Sequence, residues 1–207
     1  MTDVAGQRVV VMGLGQFGGA VGAVRYLAER GANVLVTDLN SADALEPALE
    51  QLADLPIAYR LGEHRTEDFT RADLIVVNPA VDRRDNRHLN AARAAGATLT
   101  SEIALFIDAA CAGARRRRTI GVTGTAGKST TVAMIGRALA DALGPARVHV
   151  GGNLGGSLLT ELDRIAPDDW IVLELSSFML ETLPDWSPHI AVVTNFAANH
   201  LDRHGTL

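Results

Sequence analysis

The residues with the most obvious chemistry stand in Thr119-Ile-Gly-Val-Thr-Gly-Thr-Ala-Gly-Lys-Ser-Thr-Thr131, a short apolar strand, a glycine-rich turn and a helix opened by Lys128 and Ser129. Gly121, Gly124 and Gly127 let the backbone bend tightly and turn its N–H groups inward. Those groups, with the positive end of the following helix, make a cradle for phosphate. Lys128 adds a mobile positive charge for the terminal phosphates, and the Ser129 hydroxyl is placed for Mg²⁺. Gly124, Thr125, Gly127, Lys128, Ser129 and Thr130 are therefore the candidate ATP and phosphate ligands. The spacing departs from the strict phosphate-loop pattern, because Val122 occupies the position of its first glycine. An ordinary strand-to-helix turn is the bland alternative; Gly-Lys-Ser at a helix start after an apolar strand argues against it.

Two further groups could serve the same chemistry. Glu174 lies inside the apolar run Trp170-Ile-Val-Leu-Glu-Leu175, where a carboxylate is costly unless it is paired or binds a metal. His200, Asp202, Arg203 and His204 fall on one loop over 195–205 that follows a strand. A second glycine pattern, Gly13-Leu-Gly15-Gln16-Phe17-Gly18, follows the strand Arg8-Val-Val-Val-Met12, and Asp38 ends the next strand about 20 residues on. This pattern places a diphosphate at a helix start and lets Asp38 meet a ribose or base. It does not choose between NAD and a UDP-sugar, which share the diphosphate. His64, His88, His149 and His189 read as surface or structural residues, and the single cysteine, Cys111, as a small packing residue.

The elements that must position these groups alternate regularly. Strands are expected at 8–12, 33–38, 57–61, 74–77 and 97–100. Helices are expected at 20–30, 45–55, 88–95 and 102–112. Five parallel strands with helices between them make a doubly wound domain, and the loop Asn78-Pro79-Ala80-Val81 sits at a strand's carboxyl end, where such sheets bind ligands. The run Ala112-Gly-Ala-Arg-Arg-Arg-Arg118 breaks the pattern and reads as a solvated linker. Beyond it, a helix is expected at 130–143 on the stripe Val132, Ile135, Leu139 and Leu143, with strands at 148–150, 170–175 and 190–194 and a helix at 158–165. The expected fold is thus α/β: a Rossmann-like doubly wound parallel sheet over residues 1–112, then a P-loop ATPase-type α/β domain over 113–207.

Composition bounds the remaining classes. The chain has 207 residues, is 47% hydrophobic and 21% charged, and carries a net charge of −5. It can bury a core, and its acidity argues against a general nucleic-acid binder. No apolar run is long enough to span a membrane, and the first residues lack the basic and apolar regions of a secretory signal. One cysteine allows no internal disulfide, which fits a reducing, cytoplasmic setting.

The phosphate loop, with Gly152-Asn-Leu-Gly155, Leu173-Glu-Leu-Ser-Ser-Phe-Met-Leu-Glu181 and Asn195-Phe-Ala-Ala-Asn-His-Leu-Asp-Arg-His-Gly205 in that order, resembles the Mur ligase family. The Glu-Leu-Ser-Ser-Phe block and the Gly-Leu-Gly domain resemble its D-glutamate-adding branch, which works in peptidoglycan synthesis. The resemblance implies that ATP phosphorylates the carboxylate of UDP-N-acetylmuramoyl-L-alanine and that the amine of D-glutamate attacks the acyl phosphate. Lys128, Glu174 and His200 would be catalytic. Ser129 or Thr130 with Glu174 would hold one Mg²⁺, and His200 a second. Gly15, Gln16, Phe17, Gly18, Asp38, Asn78, Pro79, Asn153 and Ser176 would bind the UDP-substrate. The same resemblance implies a cytoplasmic enzyme, monomeric when complete, without nucleic-acid or membrane partners.

Three positions depart from the family pattern: Ala126 stands for Asn, Met179 for Gln, and Asn78-Pro79-Ala80 for Ser-Pro-Gly. The resemblance also implies a longer protein. The lysine that is carbamylated to bridge two metals, the segment that holds adenine and a C-terminal domain that helps bind D-glutamate would all follow residue 207. The chain is accordingly expected to be a fragment that is inactive alone. Two alternatives stand beside this reading: an NAD-dependent oxidoreductase, from Gly13, Gly15, Gly18 and Asp38, and a non-catalytic nucleotide-binding remnant.

Overall fold

A computed structural model describes residues 3–15, 20–111, 118–154 and 156–206. The chain divides into two compact units, Met1–Leu105 and Phe106–Leu207. The arginine run that suggested a boundary at 112 lies outside the described residues except for Arg118, which pairs with Asp168 at 3.2 Å.

In the first unit, β1 (Arg8–Met12), β2 (Asn33–Asp38), β3 (Ala58–Leu61), β4 (Leu74–Val77) and β5 (Thr98–Thr100) form one parallel sheet in the order β3-β2-β1-β4-β5. The chain leaves β1 toward one side and returns for β4 on the other. The carboxyl ends of β1 and β4 therefore flank a topological switch point, the usual ligand crevice of such sheets. β1 and β4 are apolar and buried almost throughout, as strands covered on both faces must be. Because side chains alternate with period two, Val10 and Met12 share one face with Ile75 and Val77, and there they pack with Phe69, Leu89 and Ala92.

The helices of this unit are α1 (Val21–Glu29), α2 (Ala42–Glu50), α3 (Thr66–Thr70) and α4 (Arg87–Ala94); α5 (Glu102–Ala110) crosses into the second unit. Two differ from expectation. α2 begins after Ser41 and ends at Glu50, the rest of the expected 45–55 helix being turn. α3 is too short to show helical periodicity, and it exists to carry Phe69 into the core. Asn86 caps α4 as its chemistry suggests, accepting from the His88 and Leu89 amides.

In the second unit, β6 (Thr119–Thr123), β7 (Val148–Gly152), β8 (Trp170–Glu174) and β9 (Ile190–Val193) form a parallel sheet in the order β7-β8-β6-β9. The long helix α6 (Lys128–Leu143) lies on it, burying Val132 against Ile120, Val122 and Val172 with Ile135 and Leu139 alongside. Leu143 was expected on the same stripe but is exposed in the last turn. Gly136 brings α6 close to β7: a Cβ there would approach Val150 Cγ2 to 2.8 Å. The helix expected at 158–165 is a 3-10 helix over Leu158–Arg164, and two single turns, α7 (Ser177–Leu180) and α8 (Leu201–His204), complete the unit. Cys111 is buried, in keeping with a packing role.

Of the histidines read as surface or structural, His189 is exposed and the other three have side-chain partners. His149 meets the buried Asp169 at 3.0 Å. His64 Nδ1 lies 2.7 Å from the Thr37 hydroxyl, and His88 Nδ1 lies 3.0 Å from that of Thr66, with His88 stacked on Phe69. Burial holds both His64 and His88 below the ordinary histidine range. The neighbouring His88 adds to the shift at His64 against the opposing pull of Asp38; Arg87 adds to it at His88 against that of Glu67. Both rings therefore lose their proton at a lower pH in the fold than in the unfolded chain, where histidine titrates at ~6.5. Their contribution is fully present above that pH and is lost as the pH falls below it, because the unfolded state then binds more protons. Replacing His88 by Asn is expected to flatten the fall in unfolding free energy between pH 7 and 5, measured by urea denaturation at each pH. An unchanged slope would contradict a neutral, buried His88.

Candidate phosphate-binding and metal site

The sheet of the second unit gathers its loops at one edge. β6 runs from buried Ile120 and Val122 to Thr123 and then turns through Gly124, which has φ +133°. A Cβ on Gly124 would overlap the Thr194 hydroxyl and approach Asn195 O to 2.9 Å, so this position excludes any side chain. Gly127, with φ +79°, is the N-cap of α6. The first N–H groups of α6 have no helical carbonyl to reach, and together with the helix dipole they form an anion-binding end. Ser129 and Thr130 lie exposed on this first turn. The Lys128 ammonium folds over the loop, donating to the carbonyls of Gly124 at 2.8 Å and Thr125 at 3.2 Å.

Lys128 lines a cleft of about 460 Å³ with Gly124, Thr125, Ser176, His200 and Phe196. Ser176 is the N-cap of α7, its hydroxyl accepting from Met179 N at 3.2 Å. His200 is the N-cap of α8 and, among the described residues, the one non-glycine with positive φ, at +50°. Such a conformation costs of order 1–3 kcal/mol and persists only where its surroundings hold it. Here Phe178 of α7 packs against the His200 ring at 4.8 Å, while Glu181 pairs with Arg203 at 2.7 Å and with His204 at 3.4 Å. Ser129, Thr130 and Asn153 are not among the residues lining this cleft.

Behind the phosphate loop stands Glu174, the last residue of β8, paired in register with Val122 of β6. It is 2% exposed. Oε1 accepts from Asn153 Nδ2 at 3.0 Å, and the Asn153 amide donates to the Glu174 carbonyl at 2.9 Å. Gly152, φ +94°, permits this approach, since a Cβ would collide with the Glu174 carbonyl oxygen. Among the described residues, Oε2 has no hydrogen-bond partner. A buried carboxylate oxygen with no donor is expensive, and a divalent cation is the partner that the donor chemistry fits. No group of three or more His, Cys, Asp and Glu side chains forms a metal cage among the described residues. Mg²⁺ needs only one or two carboxylates, completing its shell with hydroxyl, phosphate and water oxygens, so Glu174 is a residue that could hold it.

In the first unit, Asp38 is held by donors of its own chain. It is 5% exposed. Oδ2 accepts from the amides of Leu14, at 2.8 Å, and Gly15, at 3.3 Å, while Oδ1 accepts from Asn40 N and Nδ2 at 2.9 and 2.8 Å. The side chain is turned onto the chain's own amides rather than out toward a ribose or base. Asn78 buttresses the same turn, donating from Nδ2 to the Gly13 carbonyl at 3.2 Å and accepting from Ala80 N at 3.0 Å, with half-buried Pro79 between them. Gly15 has φ +76° and so needs its glycine. Gln16, Phe17 and Gly18 lie outside the described residues. Sequence reasoning overlooked the packing role of Phe178 and the contacts of Thr194 and Asn195 with the phosphate loop; the polar pair at the end of an apolar strand was the available signal for the latter.

Two family descriptions match this chain: "Mur ligase MurD-like, N-terminal domain" over residues 7–101 and "Mur ligase middle domain" over residues 122–207. The chain belongs to the Mur ligase family. Among curated relatives of these Mur ligase domains, a UDP-N-acetylmuramoylalanine–D-glutamate ligase from Roseiflexus sp. is 48% identical and one from Geotalea uraniireducens 41% identical, each over 99% of this chain. The chain spans 43% of the length of either relative. A murein peptide ligase of known structure from Psychrobacter arcticus, 20% identical, matches with a TM-score of 0.54 over 95% of this chain and 44% of its own, which bears on the fold alone. With the first unit matched to a Mur ligase domain, the oxidoreductase reading of its glycine pattern loses its ground.

The crowding at Gly124 predicts a graded result. Gly127 also has positive φ, but nothing lies within 4 Å of a Cβ placed there, so Gly127→Ala is expected to cost only the left-handed penalty of about 1–2 kcal/mol. Gly124→Ala adds a steric collision and is expected to cost more, about 3 kcal/mol. Denaturant unfolding of the two variants checks the order; equal costs would mean that the 194–195 segment does not press on the loop.

Proposed function

We propose that the protein is an ATP-dependent amide ligase of peptidoglycan precursor synthesis, joining D-glutamate to UDP-N-acetylmuramoyl-L-alanine. The observation that carries this reading is the buried Glu174 carboxylate, with one oxygen held by Asn153 and the other unpartnered among the described residues, directly behind a phosphate loop whose lysine faces a cleft. The activity for which these relatives are named points the same way.

In the proposed reaction, a carboxylate oxygen of the muramoyl-alanine substrate attacks the γ-phosphorus of ATP, and the bond to the β–γ bridging oxygen breaks, releasing ADP. The amine of D-glutamate then attacks the acyl carbon of the acyl phosphate, inorganic phosphate leaves, and the amine loses a proton. Phosphoryl transfer of this kind depends on positioning and charge neutralisation. Gly127 and the first amides of α6 hold the phosphates. Lys128 exchanges its contacts with the Gly124 and Thr125 carbonyls for the transferring group. Ser129 or Thr130, Glu174 and His200 are the residues that would hold Mg²⁺, which supplies charge neutralisation across the phosphate oxygens. Asn153 keeps Glu174 oriented, and Ser176 lies at the cleft wall where the acceptor would enter.

The first unit holds the UDP end at its β1 switch point through Gly15, Gln16, Phe17, Gly18, Asn78 and Pro79. Asp38 contributes by shaping the turn. Binding energy from that remote end places the reacting carboxylate, which is how a distant anchor raises the rate. We further propose a cytoplasmic, monomeric enzyme; among the described residues no helix is long and apolar enough to cross a membrane.

In the full-length protein, Lys128→Ala is expected to lower kcat for phosphate release by about 10²–10³, the loss typical of a charge aimed at the transition state. The affinity for the UDP-substrate should stay within about twofold by calorimetry. Unchanged turnover would make Lys128 a structural residue of the loop, and tight NADH binding without UDP binding would overturn the substrate assignment.

A further inference from the structure

The phosphate loop is held from outside by the chain that leaves β9. The Asn195 side chain grips both backbone polar groups of Ala126: Oδ1 accepts from Ala126 N at 3.0 Å, and Nδ2 donates to Ala126 O at 2.9 Å. The Thr194 hydroxyl donates to the same carbonyl at 2.7 Å. One residue earlier, the Thr125 amide donates to Asn195 O at 3.2 Å, and the Thr125 hydroxyl donates to Ala197 O while accepting from Ala197 N, at 3.1 and 3.0 Å. These contacts span about 70 residues of sequence and meet at the one glycine, Gly124, whose missing Cβ makes room for them.

We propose that Asn195 is the positioning residue that sets the shape of the phosphate loop. A carboxamide carries a donor and an acceptor side by side, so it can take an N–H and a C=O of one residue together; a carboxylate, which has no donor, cannot match both. With the Ala126 carbonyl drawn toward Asn195 and Thr194, the planar trans peptide points the Gly127 N–H the opposite way. The carbonyl oxygen is thereby kept off the concave side, where it would repel a phosphate, and the Gly127 amide is freed for the anion. The amides of Thr125 and Ala126 are committed to Asn195. The phosphate-facing set therefore begins at Gly127 rather than spanning the whole loop.

The grip falls on the backbone of residue 126 and not on its side chain. This accounts physically for an alanine at a position where a polar side chain was expected: the loop keeps its shape through Asn195 whatever residue 126 carries. Thr125, counted among the phosphate ligands from sequence, has its amide and hydroxyl engaged by 195–197 and belongs with the loop's scaffold. The inference rests on the phosphate-loop reading for its functional meaning, but the conformational part stands on the hydrogen bonds alone.

The test uses the 207-residue chain, with Asn195→Asp and Asn195→Ala. Asn195→Asp keeps the acceptor for Ala126 N and sets a second acceptor against Ala126 O. Amide exchange followed by NMR is expected to quicken at least tenfold at Thr125 and Ala126 in both variants, with β6 and β8 unchanged. Affinity for magnesium tripolyphosphate, which needs no adenine pocket, is expected to fall at least tenfold. Local exchange and affinity both within twofold of wild type would overturn the proposal. Wild-type chain that ignores tripolyphosphate, with exchange still accelerated in the variants, would retain the positioning role and refute the phosphate reading. Wild-type binding that the variants leave untouched would do the reverse. Should both variants lose protection throughout β6 and β8, Thr194→Val decides. It removes one of two donors to Ala126 O, and exchange at Thr125 and Ala126 should rise about threefold; no rise would overturn the proposal.

Discussion

A carboxylate at the end of a buried strand is the constraint on which the second unit depends. Glu174 follows Ile171, Val172 and Leu173, all buried, and is itself 2% exposed. Ionised carboxylates are not tolerated in such surroundings without compensation. Part of the compensation is local: Gly152 lets β7 end close enough for Asn153 to bond both the side chain and the backbone of Glu174. The rest is not supplied by the described residues, among which Oε2 has no partner. In the proposed enzyme a cation supplies it, and the geometry that costs stability is the geometry that places charge behind the phosphates.

The surrounding elements follow from that placement. A parallel sheet brings the carboxyl ends of its strands to one edge, so β6 delivers the phosphate loop, β8 delivers Glu174, and β9 delivers Thr194 and Asn195 to the same rim. Register does the fine work: Val122 opposite Glu174, and Thr123 opposite Val193. The strain at His200 fits the same picture, a left-handed histidine held by Phe178 and by the Glu181 pairs with Arg203 and His204. Backbone strain of this kind gathers where a side chain must be aimed.

Much of this was legible in the sequence, for reasons that also explain what was not. The β1, β2 and β4 runs are apolar and bounded by glycine or polar turns, and α6 shows its stripe through Val132, Ile135 and Leu139; such signals are local and survive without a structure. The glycine-rich turn into α6 was legible because its glycines and Lys128-Ser129 stand within one short stretch. α3, α7 and α8 were not, since four or five residues carry no period. The hydrogen bonds of Asp38 were not legible, because a carboxylate ending a strand looks the same in sequence whether it faces a ligand or four of its own chain's donors. Asn195 escaped because its partner, Ala126, lies on the neighbouring strand's loop, and only the β6–β9 register brings the two together.

In the proposed enzyme the free oxygen of Glu174 is a metal ligand beside the phosphate loop. Anomalous diffraction from crystals of the chain grown with Mn²⁺ and ADP tests it most directly. The account predicts a peak within coordination distance of Glu174 Oε2 and of a phosphate oxygen held at the start of α6. A fully occupied peak elsewhere, with Glu174 Oε2 bonded instead to a protein donor or a water, would contradict it.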